Sequence, residues 1–252
     1  MKKNTLLIIL GVVTVICVVA GSVIHIGGGI KSLRKSGILA INKDDPDVNF
    51  SYHWDSDGEG NSEQKFSFDQ TLEAFSSIKM DVNIMEIRIE NGDQFRIQSS
   101  YSKDSLKPSF SINNGVLEIS QFKKRNSNTF ANYNCKVIIT IPSGTNLDSI
   151  QINSNIGEIK ARDFTTKNFN INLNVGEISV RKVNFDQINI NNNVGEVTVN
   201  PVDDIDSYTI FAGTDIGEVN IGRKSHKRSY NQEGNSRKRI KINTNVGEIN
   251  IR

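Results

Sequence analysis

The residues whose types and spacing could do chemistry begin with five glutamates that each directly follow a glycine. They are Glu158, Glu177, Glu196, Glu218 and Glu248. Carboxylates that recur at a regular spacing could hold cations, and a pair of carboxylates is what a glycosidase uses as acid and base. Like charges about 5 Å apart repel by about 1 kcal/mol in water and by more when buried. We therefore expect a solvated, partly paired column of glutamates, with a cation-binding ladder as the alternative.

A second candidate set is a basic segment near the end of the sequence. Residues 223–241 carry eight of the 30 Lys and Arg side chains and a single acid, so the rest of the chain is net acidic. The candidate contacts to an anionic polymer, such as a teichoic acid, are Arg223, Lys224, Lys227, Arg228, Arg237, Lys238 and Arg239. Nucleic acid is not expected as a partner, because few aromatic residues are interleaved with these charges.

The same basic segment has a structural interpretation. The sequence ends directly after its last repeat, with no capping element in view. The open end of a sheet is an aggregation edge, and lysines and arginines commonly guard it. A guard or a plain solvated loop is the alternative to a contact with an anionic polymer.

The sequence offers no other catalytic or metal-binding set. His25, His53 and His226 lie far apart, and none neighbours a Cys or carboxylate set with metal-ligand spacing. There is no nucleophile elbow and no phosphate-binding glycine loop. Because the Gly-Glu pair repeats so regularly, it indicates a structural role rather than one catalytic centre. We predict a protein that is not an enzyme and needs no cofactor, with a glycan-active β-helix enzyme as a weak alternative.

The glutamates belong to a longer repeat that must position them. Segments such as FNINLNVGEISV superimpose on the glycines Gly157, Gly176, Gly195, Gly217 and Gly247, which are spaced by 19, 19, 22 and 30 residues. A 19-residue rung traces about 60 Å of extended chain, which leaves no room for a helix. This length predicts one turn of a β-helix in which each rung pairs with the next at about 4.8 Å. Residues 78–89 are a degenerate copy with Met85 in the glycine position.

The two sides of each glycine differ in the parity of their apolar residues. Apolar residues lie seven, five and one positions before the glycine, and two and four positions after it. Both sets can point inward only if the chain bends between them, which glycine permits. The five glycines are therefore predicted to be structural corners of the solenoid.

Asparagines form two further columns before the glycines. One contains Asn155, Asn174, Asn193, Asp215 and Asn245, and the other contains Asn153, Asn172, Asn191 and Asn243 with Gly213 as an interruption. Stacked asparagines can hydrogen-bond from rung to rung, so we interpret the columns as structural ladders. A flat polar face for glycans is the alternative.

The lead-in KVIITIPSGTNLDSIQINSNIGEIKA and the following Gly-Glu-Ile repeats resemble the bacterial putative-adhesin family of β-strand-repeat proteins of unknown function. The resemblance covers about residues 66–252, of which 150–252 carry the clear repeats. It implies an all-β fold, a right-handed parallel β-helix-like solenoid, and a place in the cell envelope. It implies no enzyme activity.

The N-terminal quarter of the chain predicts a membrane anchor and a tether. Residues 5–26 are almost wholly apolar and long enough to cross a bilayer, after a cytoplasmic tail of residues 1–4. A cleaved signal peptide is the rival interpretation. Residues 27–65 predict an acidic, turn-rich linker, in which residues 55–60 only partly match a calcium loop. Because a tail this short is easily kept inside, we expect the C-terminal domain to be extracytoplasmic.

Together these features predict a non-enzymatic cell-envelope protein. It would be anchored in the membrane by one helix and would present its solenoid to wall polymers or to another envelope protein. The alternative is the sensory or regulatory ectodomain of an envelope-stress system, whose signal would pass through a partner helix in the membrane.

Overall fold

The computed structural model describes residues 66–103, 106–121 and 134–252. Within them the chain forms β-strands and short 3₁₀ segments but no α-helix, which confirms the predicted all-β class. None of these residues lies in a helix that is long and apolar enough to cross a membrane. The predicted tail, anchor, linker and partial calcium loop all fall within residues 1–65, outside the described part of the chain.

The strands follow one another with short connections. They are β1 (Phe66–Thr71), β2 (Ser77–Gly92), β3 (Arg96–Tyr101), β4 (Ser109–Asn113), β5 (Val116–Ser120), β6 (Cys135–Pro142), β7 (Asn146–Arg162), β8 (Thr165–Val194), β9 (Val197–Pro201), β10 (Thr209–Ile216), β11 (Val219–Ile221), β12 (Lys224–His226), β13 (Ser229–Gln232), β14 (Arg239–Val246) and β15 (Ile249–Ile251), with the 3₁₀ turn at Ile205–Ser207. Isoleucine and valine at alternate positions favour strands here, because β-branched side chains fit a pleated, half-buried surface.

The middle of the molecule is a stack of parallel rungs in sequence order. β2 pairs with β7 and β7 pairs with β8, both in parallel and with the glycine positions aligned. β8 is 30 residues long because it completes one rung and continues into the next, which β9 finishes. This is the predicted solenoid; its right-handed sense stays a prediction.

The rungs at the C-terminal end do not follow sequence order. β14 lies between β8 and β10, and β15 lies between β9 and β11, in parallel throughout. The last repeat of the sequence is therefore the second-to-last rung in space. The expectation that each repeat pairs with the next one in sequence is wrong here, since the longer connections after β9 and β11 let the chain skip a rung and return.

Antiparallel strands close both ends of the stack. β12 pairs with β11 and β13 pairs with β10 at one end, while β3 pairs with β6 and β4 pairs with β5 at the other. The expectation of an uncapped end is thus wrong. Residues that looked like a basic loop contain the capping strands β12 and β13.

The core consists of inward columns of large apolar side chains. The column seven positions before the glycine contains Ile78, Ile150, Phe169, Ile188, Ile240 and Ile210, each at most 1% exposed. Burying a side chain of this size stabilises the fold by about 1.5–3 kcal/mol. Many such columns, rather than a disulfide, hold the rungs together; Cys135 is a buried free thiol.

Candidate binding surfaces on the solenoid

The five predicted glycines lie at one corner of consecutive rungs. Their φ angles run from 138° to 158°, in the region that side chains with a Cβ rarely adopt. A Cβ added to Gly176 would lie 1.8 Å from the carbonyl oxygen of Gly157, and the other corner glycines meet the same obstacle from the rung below. The corner therefore needs glycine both for its backbone conformation and for the close approach of neighbouring rungs.

Met85 occupies the corner position of β2 without a positive φ. Residues of β5 and β6 cover the two ends of β2, but neither strand pairs with the backbone at Met85. Instead, the Gln121 side-chain oxygen accepts hydrogen bonds from the backbone N–H groups of Asn83 and Ile84. Because no strand of the described residues pairs with Met85 on the side away from β7, a side chain is tolerated there, which explains the degenerate copy.

Buried polar side chains three positions before the glycine support the corner from inside. Asn192 donates its amide Nδ2 to the Gly176 carbonyl at 3.1 Å, and the Thr214 hydroxyl donates to the Gly247 carbonyl at 3.2 Å. At a bend some carbonyls turn inward and lose their ladder partner, so a buried donor satisfies them. Sequence reasoning missed these residues, although a polar residue at a core-facing position was the available signal.

The glutamates form a column on the outer side of the corner. The register aligns Glu86 of β2 with Glu158, and Glu158 with Glu177. Burial together with the neighbouring charges of Glu158 and Glu196 raises the pKa of Glu177. The column is therefore a line of coupled negative charge.

Partners are distributed unevenly along the column. Glu158 pairs with Lys160 at 2.6 Å, while the side-chain amide of Asn220 donates to Glu248 at 2.6 Å. Glu177 has no hydrogen bond or ion pair among the residues described, although the charge of Lys160 acts on its pKa. In the described ranges no three His, Cys, Asp or Glu side chains lie close enough to hold a metal ion together.

The asparagines form hydrogen-bonded ladders on the adjacent face. Asn174 donates its side-chain amide to Asn155, and Asn193 donates to Asn174, both at 2.8 Å. In the parallel column, Asn172 donates to Asn153 and Asn191 donates to Asn172, both at 2.9 Å. This is the arrangement expected of structural ladders, and it also leaves a flat polar face exposed.

Apolar residues one position before each glycine point outward. Ile156, Val175 and Ile216 are 41%, 45% and 50% exposed. The expectation that this position shares the core face is wrong, because the chain begins to bend one residue before the glycine. The last inward residue is three positions before the glycine.

The basic segment has two parts, one at the end of the solenoid and one at the start of β14. Arg223, Lys224, Lys227 and Arg228, which we call the basic cap, lie in and beside β12 at the end of the solenoid, and all four are exposed. None of the ion pairs found within the described residues involves them. Within the same segment, the His226 and Tyr230 rings are in tilted contact, with their centroids 4.6 Å apart.

Lys238 is occupied elsewhere, whereas Arg237 and Arg239 are exposed beside it. The Lys238 ammonium donates to Asn184 Oδ1 at 2.8 Å and forms a short ion pair with Asp203. This hydrogen bond from Lys238 lowers the pKa of the Asp203 carboxyl. Lys238 thus fastens the start of β14 to the connection after β9, and it is not available for a ligand.

No paired carboxylates line the depression beside the turns at residues 142–145 and 163–165. Its volume is about 300 Å³, and its titratable lining residues are Asp163 and Lys182. A glycosidase needs two carboxyl groups across the scissile bond. The depression therefore lacks the arrangement that this chemistry requires.

Comparison with known proteins identifies the fold. A putative cell adhesion protein from Clostridium sporogenes ATCC 15579 has 22% identity and a TM-score of 0.58, with 75% of this chain and 99% of that chain covered. A putative adhesin from Bacteroides fragilis NCTC 9343 has 13% identity, a TM-score of 0.37 and coverages of 76% and 98%. A putative lipid binding protein from Parabacteroides distasonis ATCC 8503 has 13% identity, a TM-score of 0.27 and coverages of 75% and 96%. At these identities the first structure shows a shared fold, and the other two add no argument.

No curated protein matches the chain. The family model of the Toastrack DUF4097 proteins matches residues 75–203, which is more than half of the sequence. The match takes in the lead-in and the first three corner repeats, on which the predicted resemblance depends, and confirms it. The chain therefore belongs to the Toastrack DUF4097 family.

Proposed function

We propose that this chain is a non-enzymatic envelope protein, anchored by residues 5–26, whose extracytoplasmic solenoid contacts an anionic wall polymer through the basic cap. The observation that carries the proposal is the cap itself. Four exposed cationic side chains lie at one end of the stack, while the glutamate column along its side is acidic. An anionic polymer is attracted to the first surface and repelled by the second.

The geometry of the basic cap also bears on the alternative interpretation, in which its charges guard the open end of the sheet. β12 and β13 cover the outer rung by backbone pairing, so closure of the end depends on strand formation and not on charge. Each of these two strands in turn leaves one edge unpaired, and charged side chains guard such an edge. The four charges therefore fit a guard and an anionic ligand alike, and the binding measurement below separates the two.

The proposed membrane anchor and envelope location are supported by the sequence and by the name of a protein with the same fold. Residues 5–26 have the length and composition of a transmembrane helix. The Clostridium sporogenes protein of the same fold carries the name of a cell adhesion protein, which is in line with the role that we propose.

Topology is the first test. An epitope placed after Arg252 should be removed when protease is added to intact protoplasts, while a cytoplasmic marker survives. Protection in intact protoplasts with cleavage after lysis would show that the solenoid is cytoplasmic, and the proposal would then be wrong.

Binding is the second test, with poly(glycerol phosphate) as the probe and neutral dextran as its control. The double variant Lys224→Gln and Lys227→Gln in the full chain should weaken binding roughly fivefold, since each screened ion contact contributes about 0.5 kcal/mol. The matched variant Lys107→Gln and Lys182→Gln, with exposed lysines outside the cap, should bind like the unaltered chain. Equal losses in both variants would remove the cap as the site.

A further inference from the structure

An apolar column runs along the outer side of the corner. Its members, in spatial order, are Ile84, Ile156, Val175, Val194, Val246 and Ile216. Ile156, Val175 and Ile216 in it are exposed, and Ile84, Val194 and Val246 are half-buried. With rungs about 4.8 Å apart, the column is about 24 Å long. An outward position beside a solvated edge is ordinarily polar, so a continuous apolar column indicates a surface that another molecule covers.

Complementary polar columns border the apolar column on its two sides. On one side lies the ladder of Asn155, Asn174 and Asn193, in which each amide uses one N–H for the next rung. A primary amide has two N–H groups, so the second one remains to donate outward. On the other side lie the glutamates, of which Glu177 has a carboxylate without a hydrogen-bond donor in the described residues.

The distance between successive rungs along the apolar column indicates which kind of partner fits it. An α-helix repeats at about 5.4 Å per turn and one face of a strand at about 6.6 Å, so neither stays in step over six rungs. Another stack of β-rungs repeats at the same distance by construction. A second copy of this chain also carries the same three columns and is the simplest partner that matches all of them.

We propose that two copies of the chain associate through this corner, with a two-fold axis parallel to the apolar column. Each apolar residue then meets its own counterpart, as the self-complementary surface of a two-fold dimer requires. The asparagine ladder of one copy faces the glutamates of the other, so that Asn174 donates to the partner's carboxylate column. Both copies keep the same orientation along the stack.

The other two-fold arrangement is disfavoured by charge. An axis perpendicular to the column would place glutamates opposite glutamates, and like charges at close range repel. Burial, together with the charges of Glu158 and Glu196, already raises the pKa of Glu177. The apolar column offers six residues, fewer than the roughly 20–30 per partner of stable complexes. The association is therefore weak in solution and is favoured by a raised local concentration, such as anchoring in one membrane provides.

Cysteine cross-linking tests the arrangement in the full chain reconstituted in vesicles. In a Cys17→Ser background, single variants Ile156→Cys, Val175→Cys, Val194→Cys and Ile216→Cys would be treated with a short bismaleimide. The remaining Cys135 is buried and its thiol pKa is raised to about 12 by burial, so it stays unreactive. Val202→Cys, which is 58% exposed and off the column, is the matched control.

All four column variants should form homodimers roughly tenfold faster than Val202→Cys, because the dimer raises the effective concentration of each pair. Rates equal to that of the control would overturn the proposal. Rapid cross-linking of Val175→Cys and Val194→Cys alone, at the centre of the column, would indicate the perpendicular axis and overturn the proposed one.

A charge variant provides an independent measurement. Val175→Lys with Val194→Lys puts like charges on the axis and should slow cross-linking at Ile216→Cys roughly tenfold, whereas Val202→Lys should not. No effect of the double variant would sink the proposal. The cap variant Lys224→Gln with Lys227→Gln should leave cross-linking unchanged, so failure of the dimer and failure of polymer binding are separable.

Discussion

The central rungs and the C-terminal rungs share the same repeat but differ in how the chain reaches them. From β7 to β9 each rung is laid down directly on the previous one. After β9 the chain skips a position, forms β10 to β13, and then returns to fill the gap with β14 and β15. The repeat defines a rung, but it does not define the order of rungs, because the Gly-Glu corner offers nearly the same surface at every level.

The largest difference between the two regions should appear on deletion of residues 239–252. This removes the rung between β9 and β11 and leaves residues 209–232 without a parallel partner. Loss of the buried Ile240, Ile242, Ile249 and Ile251 should cost of the order of 6–12 kcal/mol. Hydrogen exchange should show residues 209–232 unprotected while β7 stays protected, and protection of 209–232 would contradict the observed order. Deletion of Arg252 alone is the control.

A single added Cβ atom should have different effects at Gly176 in a central rung and at Gly213 in the outer rung. Gly176→Ala should destabilise the protein by about 3 kcal/mol, since its Cβ meets a carbonyl oxygen at a φ of 143°. Gly213→Ala in the outer rung meets no atom closer than 3.9 Å and should be neutral or slightly stabilising. Chemical unfolding of both variants measures the difference, and equal effects would count against steric closure of the corner.

The asparagine ladder should contribute more in the middle than near the end. Asn174→Ala removes two side-chain hydrogen bonds of 2.8 Å, whereas Asn245→Ala removes one hydrogen bond of 3.4 Å. We expect a loss of about 1 kcal/mol for the first and about half of that for the second. Thermal unfolding of both variants beside Asn231→Ala, an exposed residue off the ladders, is the measurement. A larger loss for Asn245→Ala would contradict the ladder interpretation.

The smallest effect concerns charge in the glutamate column. The folded-state pKa of Glu177 is raised, so its ionisation disfavours the fold and stability falls as pH rises through that pKa. Glu177→Gln should raise stability at neutral pH by a few tenths of a kcal/mol and flatten this part of the pH profile. Glu218→Gln in the outer rung instead replaces the charged acceptor of the Ser225 hydroxyl by a weaker neutral one and should bring no gain. The measurement is the free energy of unfolding of both variants from about pH 4 to 7. A lower stability of Glu177→Gln at neutral pH would contradict the interpretation that the Glu177 charge destabilises the fold.

Much of the fold could be predicted because its rules are local and repeat. Alternation of apolar residues specified strands, and the change of parity at Gly157, Gly176 and Gly195 indicated a bend. The outward position of Ile156 could not be read from the pattern, since an apolar residue one position before the glycine fits either side of a bend. The capping role of residues 224–232 was equally hidden, because short polar strands carry almost no periodic signal.

The sequence by itself determined the all-β class, the rung, its corner and the side-chain columns, since each follows from the period-two geometry of a strand and the steric freedom of glycine. Only the tertiary structure decided which rung lies beside which, what closes the two ends, and which apolar column is left outside. Those outcomes depend on contacts between residues distant in sequence, where several nearly equivalent rung surfaces compete and connection length selects among them.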